Sequence, residues 1–313
     1  MGTPEFAVPT LEWLVSSEHQ VVGVYTQPDR PAGRGRGLSA SPVKVVAERH
    51  HLEVRQPLKM GPAEVEHLAN LKPDVIVLAA FGQLLRQEVL DIPCYGGLNV
   101  HPSLLPRHRG PSPVARAILA GDSETGVTIM LMDAGMDTGP ILSQARVAIE
   151  PQATTGTLTA CLAQVSAELL AQTLPQWLKG EIKPQPQDER QATYTQRFSK
   201  EDGELDWRLP AEELWRRVRA FQPWPGCYTR WQGGLLKILE AIPIAAAKGD
   251  VPGKVIALDA PHLQEGAALG VVTGNGVLGI CRLQPEGKRA MSAAEFLRGH
   301  RGLLDSVLPT ALC

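Results

Sequence analysis

The chain lacks any run of 18 or more apolar residues, which excludes a transmembrane helix. Its amino terminus, MGTPEFAVPTLEWL, has no basic segment and carries Glu5 early, so it does not read as a secretory signal. Met1-Gly2 is followed at position 6 by Phe6 where myristoylation needs Ser or Thr, and that modification is discounted. The five cysteines are odd in number, scattered and never in Cys-x-x-Cys spacing. That excludes a disulfide framework and a cysteine zinc site, predicts no metal, and fits a reducing cytoplasm. Within the basic stretch 29–44 neither Gly-x-Gly-x-x-Gly nor a Gly-Lys-Ser/Thr phosphate loop is present, and the chain has no internal repeat or low-complexity tract.

What remains is ordinary globular composition, 43% hydrophobic and 20% charged, over a length of 313 residues that suggests two domains. The net charge of −2 is unevenly spread: residues 208–313 hold 13 Lys and Arg against 9 Asp and Glu, while the rest of the chain is acidic. A basic C-terminal third is a modest pointer to a polyanionic partner, against the plainer reading of a solvated surface.

Apolar periodicity predicts helices over 5–17, 42–50, 62–72, 113–120 and 155–178, alternating with strands at 21–25, 74–80, 98–100, 127–132 and 141–149. That alternation predicts an α/β domain with a mostly parallel, doubly wound, Rossmann-like sheet over residues 1–180. Residues 27–42 are too rich in Gly and Pro for either element. Residues 181–202 read as a linker, being polar, Pro-containing and weakly periodic. Beyond a helix at 211–221, short strands separated by Gly, Pro and Asp predict a small β-barrel or sandwich within residues 203–313.

Three polar residues stand out in apolar, turn-rich surroundings: Asn99, His101 and Asp137. Asn99 and His101 are two apart, so on a strand they share a face. Pro102 and Pro106 end that strand, placing His101 where ligands bind in open α/β sheets. An amide can hold an oxyanion, a histidine can move protons, and a carboxylate can set that histidine's charge.

These residues also carry a resemblance. Asn-Val-His-Pro-Ser-Leu-Leu-Pro-Arg-His-Arg-Gly at 99–110 and the run ETGVTIMLMDAGMDTGPIL at 124–142 resemble the formyltransferase family that uses 10-formyltetrahydrofolate. GTPEFAVPTL, TQPDRPAGRGR, SKEDGELDW, RAFQPWPG and QPEGKRAMSA resemble the members of that family acting on methionyl initiator tRNA. The resemblance implies an oxyanion donor in Asn99, a proton-handling His101 oriented by Asp137, and formyl transfer to the methionyl amine. It implies a folate pocket built from Phe81, Gly82, Gln83, Leu84 and Leu85 with Ser103, Leu104, Leu105 and Pro106. It implies an OB-like C-terminal barrel, and tRNA contacts from Arg30, Arg34, Arg36 and Lys44 in the basic loop and from Lys237, Lys254, Lys288 and Arg289 beyond it. A monomer without a membrane partner is expected. Two departures stand out: a strand that usually precedes GTPEF is absent here, and Pro111-Ser112 replaces a usual Ala-Ala pair. Competing readings are formylation of a small amine, such as an amino sugar nucleotide, and a catalytically inactive RNA-binding protein.

Overall fold

A 3₁₀ turn, Glu5–Ala7, runs into helix α1, Val8–Ser16, with a proline in its first turn, where a missing N–H has no partner to lose. The computed structural model describes residues 1–32, 37–245, 251–258 and 266–310. Strand β1, Val24–Tyr25, is followed by an antiparallel hairpin of β2, Arg30–Ala32, and β3, Gly37–Ser39. The hairpin corrects the expectation that residues 27–42 hold no strand. Among the described residues no third strand pairs with it, so Pro31 withholds its N–H from nothing. Helix α2, Pro42–Arg49, is capped by Ser41, whose Oγ accepts from the Lys44 amide at 3.1 Å.

Next come β4, Val54–Arg55, parallel to β1, then helix α3, Pro62–Asn70. Strand β5, Ile76–Leu78, helix α4, Gln87–Leu90, strand β6, Gly97–His101, and helix α5, Pro113–Ala120, follow in turn. Strands β7, Glu124–Leu131, and β8, Ile141–Ala148, lead to the long helix α6, Thr155–Leu178. The sheet order is β5-β6-β7-β8, with β5 and β6 parallel and both later pairs antiparallel. The mostly parallel expectation is thereby corrected. Strand β8 shows why, since Gln144, Arg146 and Ala148 alternate to the exposed side, as in a strand with one wet face.

The pair β1-β4 and the sheet β5–β8 are separate, with Met1 and Gly2 between them. Gly2 N donates to Tyr25 O at 3.0 Å, Ala79 N to Met1 O at 2.9 Å, and the Met1 amine to Val77 O at 2.7 Å. A Cβ at Gly2 would stand 2.7 Å from the Ala7 Cβ, so this close approach requires glycine. A cavity of about 400 Å³ prolongs the slot, lined by residues 21–25 on one side and 74–77 on the other. Thr10 Oγ1 lines it, buried and without a hydrogen-bond partner. Burial lowers the Met1 amine pKa from 8.0 to about 5.

The chain folds as two compact units. The first comprises Met1–Val114, Ser123–Ile149 and Thr157–Gln196; the second comprises Ala115–Asp122, Glu150–Gly156 and the chain from Arg197 onward. Residues 185–195, in the stretch read as a linker, bond back onto the first unit through Ile141 and Arg109. In the second unit, helix α7, Ala211–Ala220, precedes β9, Cys227–Trp231, and the long β10, Gly234–Ile244. Strands β11, Val255–Ala257, β12, Leu269–Val272, β13, Val277–Pro285, and β14, Met291–Ser292, lead to helix α8, Ala293–Gly299. They form one antiparallel sheet, ordered β11-β12-β13-β10-β9 with β14 on β13. Register shifts between Ile238 and Ala241 of β10 mark the bulges that curl such a sheet.

Candidate active site

Strand β6 is buried along its whole length, and it carries Asn99 and His101 at 7% and 4% exposure. Buried polar groups of this kind need partners. Asn99 Nδ2 donates to Asp137 Oδ1 at 3.0 Å, and the Gly110 amide donates to Asp137 Oδ2 at 2.8 Å. His101 Nδ1 stands 3.6 Å from Asp137 Oδ2, beyond a direct hydrogen bond, while Nε2 lies 3.1 Å from the His108 carbonyl. The three residues singled out in the sequence are thus brought together across 38 positions. Asp137 holds a φ of 54°, in the left-handed region that few residues other than Gly, Asn, Asp and His adopt. Ala80 at 48° and His108 at 58° share that strain. Ala80 follows β5 and His108 follows β6, at neighbouring strand ends, while the loop of Asp137 follows β7, whose end lies opposite Leu98, and folds back to reach Asn99.

The loop after β6 is braced from below. Thr128, opposite His101 on β7, donates its hydroxyl to Ser103 O at 2.7 Å and accepts from the Leu105 amide at 3.1 Å and Gln144 Nε2 at 2.9 Å. Gln144 also donates to Leu105 O at 2.9 Å, and the Leu105-Pro106 peptide is cis. The Ser103 side chain is fully buried and donates to Arg107 O at 2.7 Å. From the other side, Thr193 and Thr195 bond the main chain of residues 106–112. Arg109 is fully buried, paired bidentately with Glu189 and bonded to Gln187 and Tyr194. That pairing raises the Arg109 pKa and lowers that of Glu189.

The two segments expected to meet folate, 81–85 and 103–106, leave neighbouring ends of the parallel strands β5 and β6, since Leu78 pairs with Asn99. Within them the roles divide. Phe81 and Leu85 are buried in an apolar cluster with Tyr25, Met60, Leu78 and Val89, so their side chains are core. Leu105 is buried too. Gln83 is spent on structure, accepting from the Met60 amide at 3.1 Å and donating to Pro57 O at 2.8 Å. Gly82, Leu84, Leu104 and Pro106 keep accessible surface, with Leu84 at 81% exposure.

Among the predicted tRNA contacts, Arg34 and Arg36 lie outside the described residues. Arg30 is exposed and donates to Gln27 Oε1 at 3.3 Å. Lys44 is held by Asp29 at 2.7 Å, an ion pair that raises the lysine pKa and lowers the aspartate's. In the second unit Lys237, Lys288 and Arg289 are exposed, Arg289 bonded to Glu295, and Lys254 is half-buried. Gln284 lies opposite Lys237 and donates to Lys288 O at 2.8 Å, which ties those two positions together. Sequence reasoning missed Thr128, Gln144, Gln187 and Thr193. Only Thr128, a lone hydroxyl amid the apolar residues of β7, carried a signal.

Comparison with known proteins follows the same division. A formyl transferase model matches residues 1–174, and a formyl transferase C-terminal domain model matches residues 197–301. The methionyl-tRNA formyltransferase of Chloroflexus aurantiacus is 50% identical over 300 residues, spanning 96% of this chain and 95% of that protein. Its counterpart from Roseiflexus sp. is 51% identical over 304 residues, spanning 96% of this chain and 91% of that protein. Among solved structures, the sugar 3N-formyl transferase WlaRD matches with a TM-score of 0.65 at 18% identity, covering 92% of this chain and 97% of that one. HypX from Aquifex aeolicus, solved in complex with tetrahydrofolic acid, gives 0.58 at 23% identity, covering 84% of this chain and 45% of that one. At those identities the solved structures share the fold with this chain, and by its sequence the chain belongs to the formyl transferase family.

Proposed function

We propose that this chain transfers the formyl group of 10-formyltetrahydrofolate to the α-amino group of methionyl initiator tRNA, in the cytoplasm and as a monomer. The observation that carries the reading is the convergence of Asn99, His101 and Asp137 at the end of β6, within 3.0 and 3.6 Å of one another through the carboxylate. Similarity at 50% identity to proteins that bear that activity in their names, over 96% of this chain, supports the tRNA substrate.

The donor set fits a folate. Leu84 is apolar, 81% exposed and beside the open Gly82, which suits the flat face of a pterin. Leu104 and Pro106 would close the other side, with main-chain groups of both segments meeting the ring edge. When bound, the co-substrate supplies a formyl carbon whose oxygen gains negative charge as an amine attacks. Asn99 has a second amide hydrogen beyond the one given to Asp137, and directs it at that oxygen. A protonated His101 adds positive charge there while its Nε2–H stays on the His108 carbonyl. Asp137 orients the ring and, with a water bridging beside the 3.6 Å contact, relays the proton that the amine releases to the folate nitrogen, whose bond to the formyl carbon breaks as the new amide bond is kept. No covalent nucleophile is needed, because an α-amino group with a pKa of ~7.7–8.0 is substantially neutral near pH 7.5.

On the tRNA side, Arg30, Arg34 and Arg36 of the basic stretch, and Lys237, Lys254, Lys288 and Arg289 of the second unit with its curled, OB-like sheet, would meet phosphates. The slot beside Met1 is read as the seat of one further parallel strand of about five apolar residues, at ~3.3 Å per residue.

The test is transfer of labelled formyl to methionyl-tRNA. Asn99→Ala is expected to lower kcat by ~10²–10³, the usual loss for one oxyanion donor, with tRNA retention unchanged. Transfer to an amino sugar nucleotide but not to methionyl-tRNA overturns the substrate. Retention of tRNA without any transfer favours the inactive RNA-binding reading.

A further inference from the structure

We propose that Gln187 is a positioning residue for this reaction, holding Asp137 from the backbone side while Asn99 and Gly110 hold its carboxylate. The proposal rests on the reading of Asn99, His101 and Asp137 as the reacting site. Gln187 Nε2 donates to two carbonyls at once, that of Asp137 at 2.9 Å and that of Gly139 at 2.7 Å. Those carbonyls belong to the 137–138 and 139–140 peptides, so one amide group pins two of the first three peptide planes after Asp137. A residue held at φ 54° has neighbouring conformations of lower energy to fall into. Without that clamp the carboxylate loses its register with Asn99 and His101.

The placement of Gln187 follows from its own segment. Pro184 and Pro186 keep the chain extended. Gln185 bonds Ile141 in both directions at 2.8 Å, an antiparallel bridge. Two residues further on, that register brings Gln187 opposite Gly139. Its other end is fixed as well: Oε1 accepts from Arg109 Nε at 3.0 Å and Nη2 at 2.9 Å. Arg109 is immobile, buried and clamped by Glu189 and Tyr194. Gln187 therefore links two rigid points, the arginine next to Gly110 and the loop that carries Asp137. Both of Asp137's carboxylate contacts and both of its backbone restraints then refer to one frame.

Two substitutions separate positioning from support. Gln187→Glu keeps an acceptor for Arg109 but has no N–H to offer the two carbonyls. Gln187→Ala loses both ends. If Gln187 positions Asp137, both variants lower kcat about tenfold or more, since small misplacements of reacting groups are costly, while KM for tRNA and for folate stays within about twofold. Amide hydrogen exchange gives a readout that needs no activity. In Gln187→Glu the Gly110 amide, which donates to Asp137, should exchange at least ~10-fold faster, while the Thr195 amide, which donates to Arg109 O at 2.7 Å, stays protected. A Gln187→Glu protein with unchanged kcat and a protected Gly110 amide overturns the proposal, because then only Arg109 needed a partner. Should Gln187→Ala fail to fold, the glutamate variant decides alone. Should the unmodified protein form no formylmethionyl-tRNA, the functional reading fails, and the exchange of Gly110 still tests the clamp.

Discussion

The two ends of the first unit's sheet are finished in opposite ways. At the β6 end, polar groups are buried but answered. Thr128, Asp137 and Arg109 each have two or more partners, several drawn from residues 187–195. At the slot beside Met1 the finish is poorer: a buried amine that gives one bond to Val77 O, an unpartnered Thr10 hydroxyl, and two facing strand edges. An unpaired buried group costs ~1–3 kcal/mol where a paired one contributes. The comparison teaches that the reacting residues are braced by the chain downstream of them, not by the strand edges around Met1. Damage at the slot should then reach stability before it reaches catalysis.

The largest test of that contrast fuses about five apolar residues ahead of Met1, so that they run in the slot. Recovered hydrogen bonds and apolar burial, net of the entropy of ordering the segment, should be worth a few kcal/mol. In a unit of this size that is a rise in melting temperature of roughly 10 °C. The extension also removes a charge. In a chain beginning at Met1 the amine has a pKa of about 5 when folded, against an ordinary 8.0. Between those values the unfolded state binds more protons, so stability rises with pH, by ~1.4 kcal/mol per unit and ~4 kcal/mol across the window. The extended protein should lose that slope. An unchanged melting temperature and an unchanged slope would show that the slot is no strand site.

At the opposite end the sharpest probe is Thr128→Val, which keeps the shape of a fully buried residue and deletes its hydroxyl. The Leu105 amide, the Ser103 carbonyl and Gln144 each lose a partner. A loss of ~2 kcal/mol is expected, seen as a fall of roughly 4–8 °C in melting, together with weaker folate binding because residues 103–106 are displaced. A fall below one degree would mean that water replaces the hydroxyl and that this end is less tightly built than its contacts suggest.

How much of this was legible follows the same division. Helices such as 113–120 and 155–178, and the strand bearing Asn99 and His101, announce themselves through apolar periodicity, and the structure places them accordingly. Asp137 was legible through its Gly-rich setting in the family motif. Gln187, Arg109 and Thr193 were not. They act through side-chain bonds to residues between 48 and 85 positions away, as Gln187–Gly139 and His108–Thr193 illustrate, and such bonds leave no period in the sequence. Residues 181–202 therefore read as a linker, for want of apolar pattern, although part of the stretch braces the site. Trp224, a large apolar side chain, is 58% exposed. It lies between two cis prolyl bonds, Gln222-Pro223 and Trp224-Pro225, whose geometry periodicity does not see. Cys94 is exposed as well, in the irregular turn before β6.

The smallest effects concern the cations, and they extend the contrast between answered and unanswered groups to the surface. Lys44 is already neutralised by Asp29, whereas Lys237 and Lys288 are exposed with no ion pair among the described residues. A phosphate contact releases counterions only if the cation is free to make it. Lys288→Ala should therefore lower the slope of log binding constant against log salt by about one, with the affinity for methionyl-tRNA falling a few-fold. Lys44→Ala should leave the slope nearly unchanged, because removing the lysine also frees a carboxylate that repels phosphate only modestly under salt. Filter binding at several salt concentrations reads both. Equal slopes for the two variants would mean that tRNA breaks the Asp29–Lys44 pair on binding. In that case the first unit's basic loop, rather than the second unit's sheet, supplies the contact that matters.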